Sequence, residues 1–305
     1  MNRLARGILM LASPPNLMAS IIPVTLGFVA ALTVIGQPTA SDWMWFLLAI
    51  FAIILIELGK NTVNEYFDYK SGTDRFIDDE HLTPFSGGRR VLPSGILTEL
   101  EVIYIGVVTF GVAILAGLIM AYFTTLLVLW IGIIGVAISI LYTLPPIKLC
   151  YRGFGEMAVG IVYGPLIVMG SFALIAQQFT LEAFLISLPL CFMIANVLVI
   201  NEFPDYEADK RAYKYNLVVL FGKERSVYIF AGLFALAYLS VLPIVIYTGN
   251  LLFLIVLLTM PVAVKACINC KKHYDDIGLL VASNKMTIGI HVLTGVIMIV
   301  ATLST

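Results

Sequence analysis

Two stretches of this chain concentrate oxygen ligands: Asn61-Thr-Val-Asn64-Glu-Tyr-Phe-Asp68-Tyr-Lys-Ser-Gly72-Thr-Asp74 and Asn201-Glu-Phe-Pro204-Asp205-Tyr-Glu-Ala-Asp209-Lys210. Asn64 and Asp68 are four residues apart, as are successive members of Asn201, Asp205 and Asp209. On a helix that spacing stacks side chains on one face. Each stretch therefore presents a column of carboxamide and carboxylate oxygens, and Gly72 ends the first helix so that Asp74 turns back from the loop. Stacked like charges repel unless something positive sits among them. Oxygen ligands without Cys or His favour a hard cation, Mg²⁺ rather than Zn²⁺. Mg²⁺ keeps several waters and takes one or two carboxylates plus substrate phosphates. Two facing columns would thus grip a diphosphate through two ions, one held by Asn64, Asp68 and Asp74 and the other by Asn201, Asp205 and Asp209. Arg75, Arg89, Arg90, Lys148 and Lys210 lie nearby in the chain as partners for the remaining phosphate oxygens.

The elements that must position these columns are membrane helices. Of 305 residues, 60% are hydrophobic and 12% charged, and the mean hydropathy is +1.00. Soluble proteins carry about 25% charged residues, so a soluble enzyme and a disordered chain are both excluded. A net charge of −1 gives no sign of a nucleic-acid partner. The four cysteines form no regular framework, and no disulfide is expected. A crossing needs about 20 mostly apolar residues. Stretches free of charge hold one crossing in 7–41, one starting at Trp43 and running on through Glu57 and Lys60, and two in 102–147 that turn near Tyr122. There is one each in 157–181 and 183–201, two in 226–264 that turn at Tyr247-Thr-Gly-Asn250, and one in 286–305. The expectation is an all-α, polytopic single domain over 1–305, with nine crossings around a central cavity. Pro14-Pro15-Asn16 interrupts the first apolar run, which argues against a cleaved signal peptide.

With the N-terminus inside, all 18 Lys and Arg residues fall on the inner side of this scheme, a strong positive-inside pattern. The C-terminus then lies outside. Both oxygen columns open to the cytoplasm, with loops of about 69–100 and 203–225 forming the mouth of the site in the cell membrane. Transporters place coupling sites near the midplane on broken helices. Acids beside arginines at one face favour phosphate chemistry over transport.

The paired motifs Asn64-x3-Asp68-x5-Asp74 and Asn201-x3-Asp205-x3-Asp209-Lys210, with Tyr142-Thr-Leu-Pro-Pro-Ile-Lys148 and Gly153-x-Gly155-Glu156, resemble the aspartate-rich motifs of the UbiA superfamily of intramembrane prenyltransferases. The wording is most similar to its MenA-like branch in Asp68-Tyr-Lys-Ser-Gly72-x-Asp74, Thr83-Pro-Phe-Ser-Gly-Gly-Arg89-Arg90-Val-Leu92, Tyr163-Gly-Pro165 and Leu217-Val-Val-x-Phe-Gly222. Branches acting on 4-hydroxybenzoate or geranylgeranylglyceryl phosphate are less similar. Glu65, Glu202 and Pro204 depart from the family pattern. The resemblance implies Mg²⁺-dependent transfer of an isoprenyl chain from its diphosphate to an aromatic acceptor. For the MenA-like branch that acceptor is 1,4-dihydroxy-2-naphthoate, in menaquinone synthesis.

In that chemistry Lys148, Arg75 and Arg89 would stabilise the departing diphosphate, and the faces of Tyr142, Tyr66 and Tyr163 an allylic cation. Asp68 or Asp205 would take the proton, and the apolar tail would lie between helices or reach lipid. Asn16 is a candidate contact for the acceptor. Lys60 either pairs with Glu57, three residues away, or leans towards the diphosphate. Small residues between Gly160 and Gly170 permit close helix packing. Cys267, Cys270 and His273 have metal-like spacing but offer only three ligands, so they are read as incidental.

Overall fold

The computed structural model describes residues 2–72, 83 and 89–305, apart from the side chains of 14–16. Within them the chain is helical, without a strand and with a single isolated bridge between Arg152 and Tyr215. A short α1 (Arg3–Ala12) is followed by α2 (Pro14–Ile35), α3 (Ala40–Ser71), α4 (Glu99–Phe123) and α5 (Leu126–Leu141). Next come α6 (Gly155–Ala176), α7 (Leu181–Arg211), a one-turn α8 (Leu217–Phe221), α9 (Lys223–Thr248), α10 (Leu251–His273) and α11 (Ile277–Leu303). Eight of these are long and apolar enough to cross a membrane. The ninth expected segment, α5, has 16 residues, about 24 Å at 1.5 Å per residue, against about 30 Å of hydrocarbon.

Local chemistry sets the ends. Thr39 with Asp42 and Thr98 with Glu101 form capping boxes that start α3 and α4, and Gly72 ends α3 in the left-handed region at φ 81°. The two motif-bearing helices are the longest, 32 residues in α3 and 31 in α7. Each exceeds what the hydrocarbon needs, so the end of each projects beyond it. Close crossings rely on small residues: a Cβ added at Gly164 would lie 2.6 Å from the Cys191 side chain, where α6 meets α7.

Two expectations need correcting. Residues before the first crossing form a separate helix, α1, because Ser13 turns the chain at φ 45° and Pro14-Pro15 restart the helix. The Asn61 carboxamide donates to the Leu11 carbonyl at 2.8 Å, tying α1 to α3. The second loop also begins later than expected, because 203–211 remain helical across Pro204. Proline removes an N–H and frees the carbonyl four residues earlier, here that of Ile200. Asn284 of α11 donates its amide to that carbonyl at 3.2 Å, replacing the missing partner.

Candidate active site

One face of α3 carries Glu57, Lys60, Asn61, Asn64, Asp68 and Ser71, at spacings of one, three and four residues. This polar stripe divides into two centres. At the inner end, the Asn64 amide donates to Asp68 Oδ2 at 3.1 Å. The Tyr151 hydroxyl lies 3.1 Å from Asp68 Oδ1, to which it donates, and 3.0 Å from the Ser71 hydroxyl. Tyr151 follows the 145–148 turn, where Lys148 adopts φ 46° and places its ammonium 4.6 Å from the Tyr151 ring centre.

From the opposite side, the loop after α7 delivers Lys214. Its ammonium stands 3.7 Å from Asp68 Oδ2 and 3.6 Å from Asp209 Oδ1, which brings one carboxylate of each motif to a single nitrogen. The two oxygens are therefore roughly 7 Å apart at most. Burial works against the Lys214 charge, but Asp209 and Asp68 outweigh it and hold its pKa well above the ordinary lysine value. The Asn216 amide donates to Asp209 Oδ2 at 2.7 Å. Asn201, two turns before Asp209, accepts from Asn284 Nδ2 at 2.8 Å, and Asp205 lies one turn on from Asn201, half-buried.

Higher on α3 is a second centre. Lys60 donates to Glu57 Oε2 at 2.8 Å and to the Tyr163 hydroxyl at 2.5 Å. Tyr163 and Ser20 both donate to Glu57 Oε1, Ser20 at 2.9 Å. Lys60 is thus the partner of Glu57, two turns of helix away from Asp68. Tyr163 belongs to this centre and not to the motif pair. Arg89 lies in the field of Glu57, Glu65 and Tyr163, and burial lowers its pKa. An apolar cavity of about 430 Å³ adjoins, lined by residues such as Ala52, Ile56, Gly117, Gly135, Val162 and Ser171.

Other expected residues are distributed as follows. Tyr66 is turned from the motif pair, because two residues along a helix is about half a turn from Asp68. It packs on the cluster around Leu11, Val91 and Leu92. Tyr142 lies at the end of α5, with its hydroxyl beside Gly155. Lys210 is exposed, its ammonium 5.5 Å from the Tyr206 ring centre. Arg90, at φ 54°, enters the turn whose Ser94 N–H bonds its carbonyl. Glu65 accepts the Leu92 N–H at 2.8 Å and so holds the 89–98 segment against α3 instead of joining Asp68. Asp74 and Arg75 fall outside the described residues, as does the Asn16 side chain. The four cysteines are free, and no group of three or more His, Cys, Asp or Glu forms a metal cluster among the described residues.

Sequence reasoning missed Tyr151, Lys214, Asn216 and Asn284 as members of the site. Lys214 served only as one of the inner basic residues, although it stands five positions after Asp209. The carboxylates and carboxamides of the two motifs, with Asp68 and Asp209 buried among them, make an oxygen donor set that fits a hard divalent cation.

Residues 20–276 match the model of the UbiA prenyltransferase family. The chain belongs to that family. As a UbiA-family protein it is a membrane prenyltransferase, and it is 29% identical over 273 residues to the 1,4-dihydroxy-2-naphthoate octaprenyltransferase of Bacillus subtilis, covering 89% of this chain and 84% of that one. It is also 29% identical over 239 residues to the UbiA prenyltransferase domain-containing protein 1 of Dictyostelium discoideum, covering 76% of this chain and 69% of that one. Among solved structures, it resembles a UbiA homolog from Archaeoglobus fulgidus bound to DMAPP and Mg²⁺, with a TM-score of 0.68 at 15% identity over 98% of this chain and 99% of that one. At that identity the likeness is one of fold.

Proposed function

We propose that this UbiA-family enzyme transfers an isoprenyl chain from its diphosphate to 1,4-dihydroxy-2-naphthoate, as a step of menaquinone synthesis, at the cytoplasmic face of the cell membrane. The observation that carries the reading is the meeting of Asp68 and Asp209 at one ammonium, which puts the two motifs within reach of one diphosphate. The acceptor rests on the naphthoate prenyltransferases of Bacillus subtilis and Mycobacterium tuberculosis, each 29% identical to this chain. The 18 basic residues support an inner N-terminus, nine crossings with α5 as the short one, and an outer C-terminus in one domain.

In this scheme Asn64, Asp68 and Asp74 of the first motif and Asn201, Asp205 and Asp209 of the second would hold Mg²⁺. When bound, Mg²⁺ neutralises charge on the leaving diphosphate. Lys148 and Lys214, with Arg90, Lys210 and, on the sequence motif alone, Arg75, take phosphate oxygens. Tyr142 offers a ring face to positive charge on the allylic carbon as the C–O bond parts with its electron pair. The electron-rich acceptor ring then forms the new C–C bond, and loss of the acceptor's carboxylate takes the place of simple proton loss. The isoprenyl tail lies in the apolar cavity bounded by α3, α4, α5 and α6, beyond the Glu57–Lys60–Tyr163 centre.

Purified protein is incubated with Mg²⁺, geranylgeranyl diphosphate and, in separate reactions, 1,4-dihydroxy-2-naphthoate, 4-hydroxybenzoate or geranylgeranylglyceryl phosphate, and products are identified by mass. A prenylated, decarboxylated naphthalene product, lost on chelation, is expected. Product with only one of the other acceptors would reject the naphthoate reading, and no product with any would reject the scheme.

A further inference from the structure

Lys214 occupies a place for which the proposed chemistry has another tenant. Its ammonium lies between Asp68 and Asp209, the carboxylates through which the two motifs would hold divalent ions. Its side chain is 18% exposed, against 7% for Asp68 and 4% for Asp209. Bringing two such acids together without a cation leaves like charges facing each other in a medium that screens poorly. The site nonetheless keeps its two halves together, with the lysine as the positive charge between them.

The backbone that carries Lys214 is held independently of that ammonium. The Lys214 N–H donates to the Asp209 carbonyl at 2.8 Å, and the Tyr215 N–H to the Tyr151 carbonyl at 3.3 Å. Glu156 of α6 accepts the Leu217 N–H at 2.6 Å. Asn216 bonds both Asp209 and the Val219 N–H, capping α8. The loop is pinned on both sides of the lysine by bonds that do not involve its ammonium, which is joined to that backbone only through its butyl stem. Tyr151 holds the other oxygen of Asp68 and places its ring 5.9 Å from the ammonium, so this carboxylate keeps a partner when the lysine leaves.

We propose that Lys214 is a built-in counter-cation: in the metal-free enzyme it holds the aspartates of the two motifs at facing positions, and it yields them to the arriving divalent ion. It is a positioning residue that preserves a two-sided site which would otherwise spring apart between turnovers. On release, its ammonium swings aside but stays tethered to a fixed loop, available to the diphosphate. The inference rests on the metal-binding part of the proposed function and on nothing in the acceptor chemistry.

Lysine and metal compete for the same oxygens, which fixes the sign of the test. In full-length protein without diphosphate, Mn²⁺ binding is titrated by paramagnetic resonance for wild type, Lys214→Met and Lys214→Arg. Removing the competitor while keeping its volume should tighten Mn²⁺ about tenfold, a factor worth about 1.4 kcal/mol. The arginine variant should stay near wild type. Lys214→Met should also melt lower than wild type in chelator, and the gap should close at saturating Mg²⁺. Should Lys214→Met not fold, the wild-type amine supplies a second measurement: acetylation of Lys214, read by peptide mass, should speed up when Mg²⁺ is added. Equal or weaker Mn²⁺ binding in the methionine variant, or an amine that Mg²⁺ leaves as unreactive as before, would overturn the proposal. Wild-type protein that binds no Mn²⁺ at all would refute the metal reading beneath it.

Discussion

Tyr151→Phe removes one oxygen and leaves the ring. The hydroxyl donates to Asp68 Oδ1 at 3.1 Å, and a hydrogen bond to a charged group contributes about 1.5–3 kcal/mol. The Ser71 hydroxyl keeps its own bond to the Asp68 carbonyl at 3.1 Å, so the helix end is not undone. The retained ring preserves the packing of Lys148. What is lost is the restraint on one carboxylate rotor. Partners that orient a metal ligand typically account for about 10–100-fold in metal affinity, or about 1.4–2.8 kcal/mol, which agrees with the hydrogen-bond figure. Diphosphate release measured across a Mg²⁺ titration should therefore show half-saturation raised about 10–100-fold, with the rate at saturating Mg²⁺ within a few-fold of wild type. An unchanged half-saturation would mean that the bond does not orient Asp68 for metal. A uniform fall in rate at every Mg²⁺ concentration would instead place Tyr151 in the reaction itself.

Asn284→Ala deprives both the Ile200 carbonyl and Asn201 Oδ1 of a donor; it should destabilise by about 1–3 kcal/mol and raise Mg²⁺ half-saturation, and adding Pro204→Ala, which restores the helical N–H, should return much of the melting temperature. Glu65→Ala strips the buried acceptor from the Leu92 N–H, so limited proteolysis should cut faster in 89–98 while the Mg²⁺ dependence stays put, an outcome opposite to that expected of a metal ligand. Gly27→Ala would set a Cβ 2.2 Å from the Val168 carbonyl oxygen and 2.8 Å from Ser171 Cβ. Overpacking of this kind costs about 1–3 kcal/mol, read as a lowered unfolding temperature in detergent.

Helix positions were legible because burial in lipid leaves so coarse a signature. Runs without charge mark the apolar segments, and the expected turns near Tyr122 and at Tyr247–Asn250 fall where α4 meets α5 and α9 meets α10. The motif columns were legible for a similar reason: a spacing of four on a helix fixes a shared face whatever the surroundings. Partners across the bundle were not. Asn284 is 83 residues from Asn201 and Tyr151 is 83 from Asp68. No periodicity within either helix states which neighbour faces it. Glu65 meets the same limit, since nothing in the sequence says that backbone N–H groups from the 91–92 turn claim this acid.

Pro204 shows how the two kinds of information combine. In the sequence it reads only as a departure from the family pattern inside a motif. In the fold its cost falls on one carbonyl, that of Ile200, and the residue that answers it, Asn284, also grips Asn201. The defect and the ligand therefore share one support, and α7 continues unbroken to Asp205 and Asp209. A helix without the proline would satisfy Ile200 internally and release Asn284 from that carbonyl. Asn284 would then be anchored by Asn201 alone, with one restraint fewer on the carboxamide of the second motif. The departure from the family pattern is thus coupled to the positioning of a candidate ligand, and the double variant Asn284→Ala/Pro204→Ala separates the two effects: stability should recover while the raised Mg²⁺ half-saturation persists.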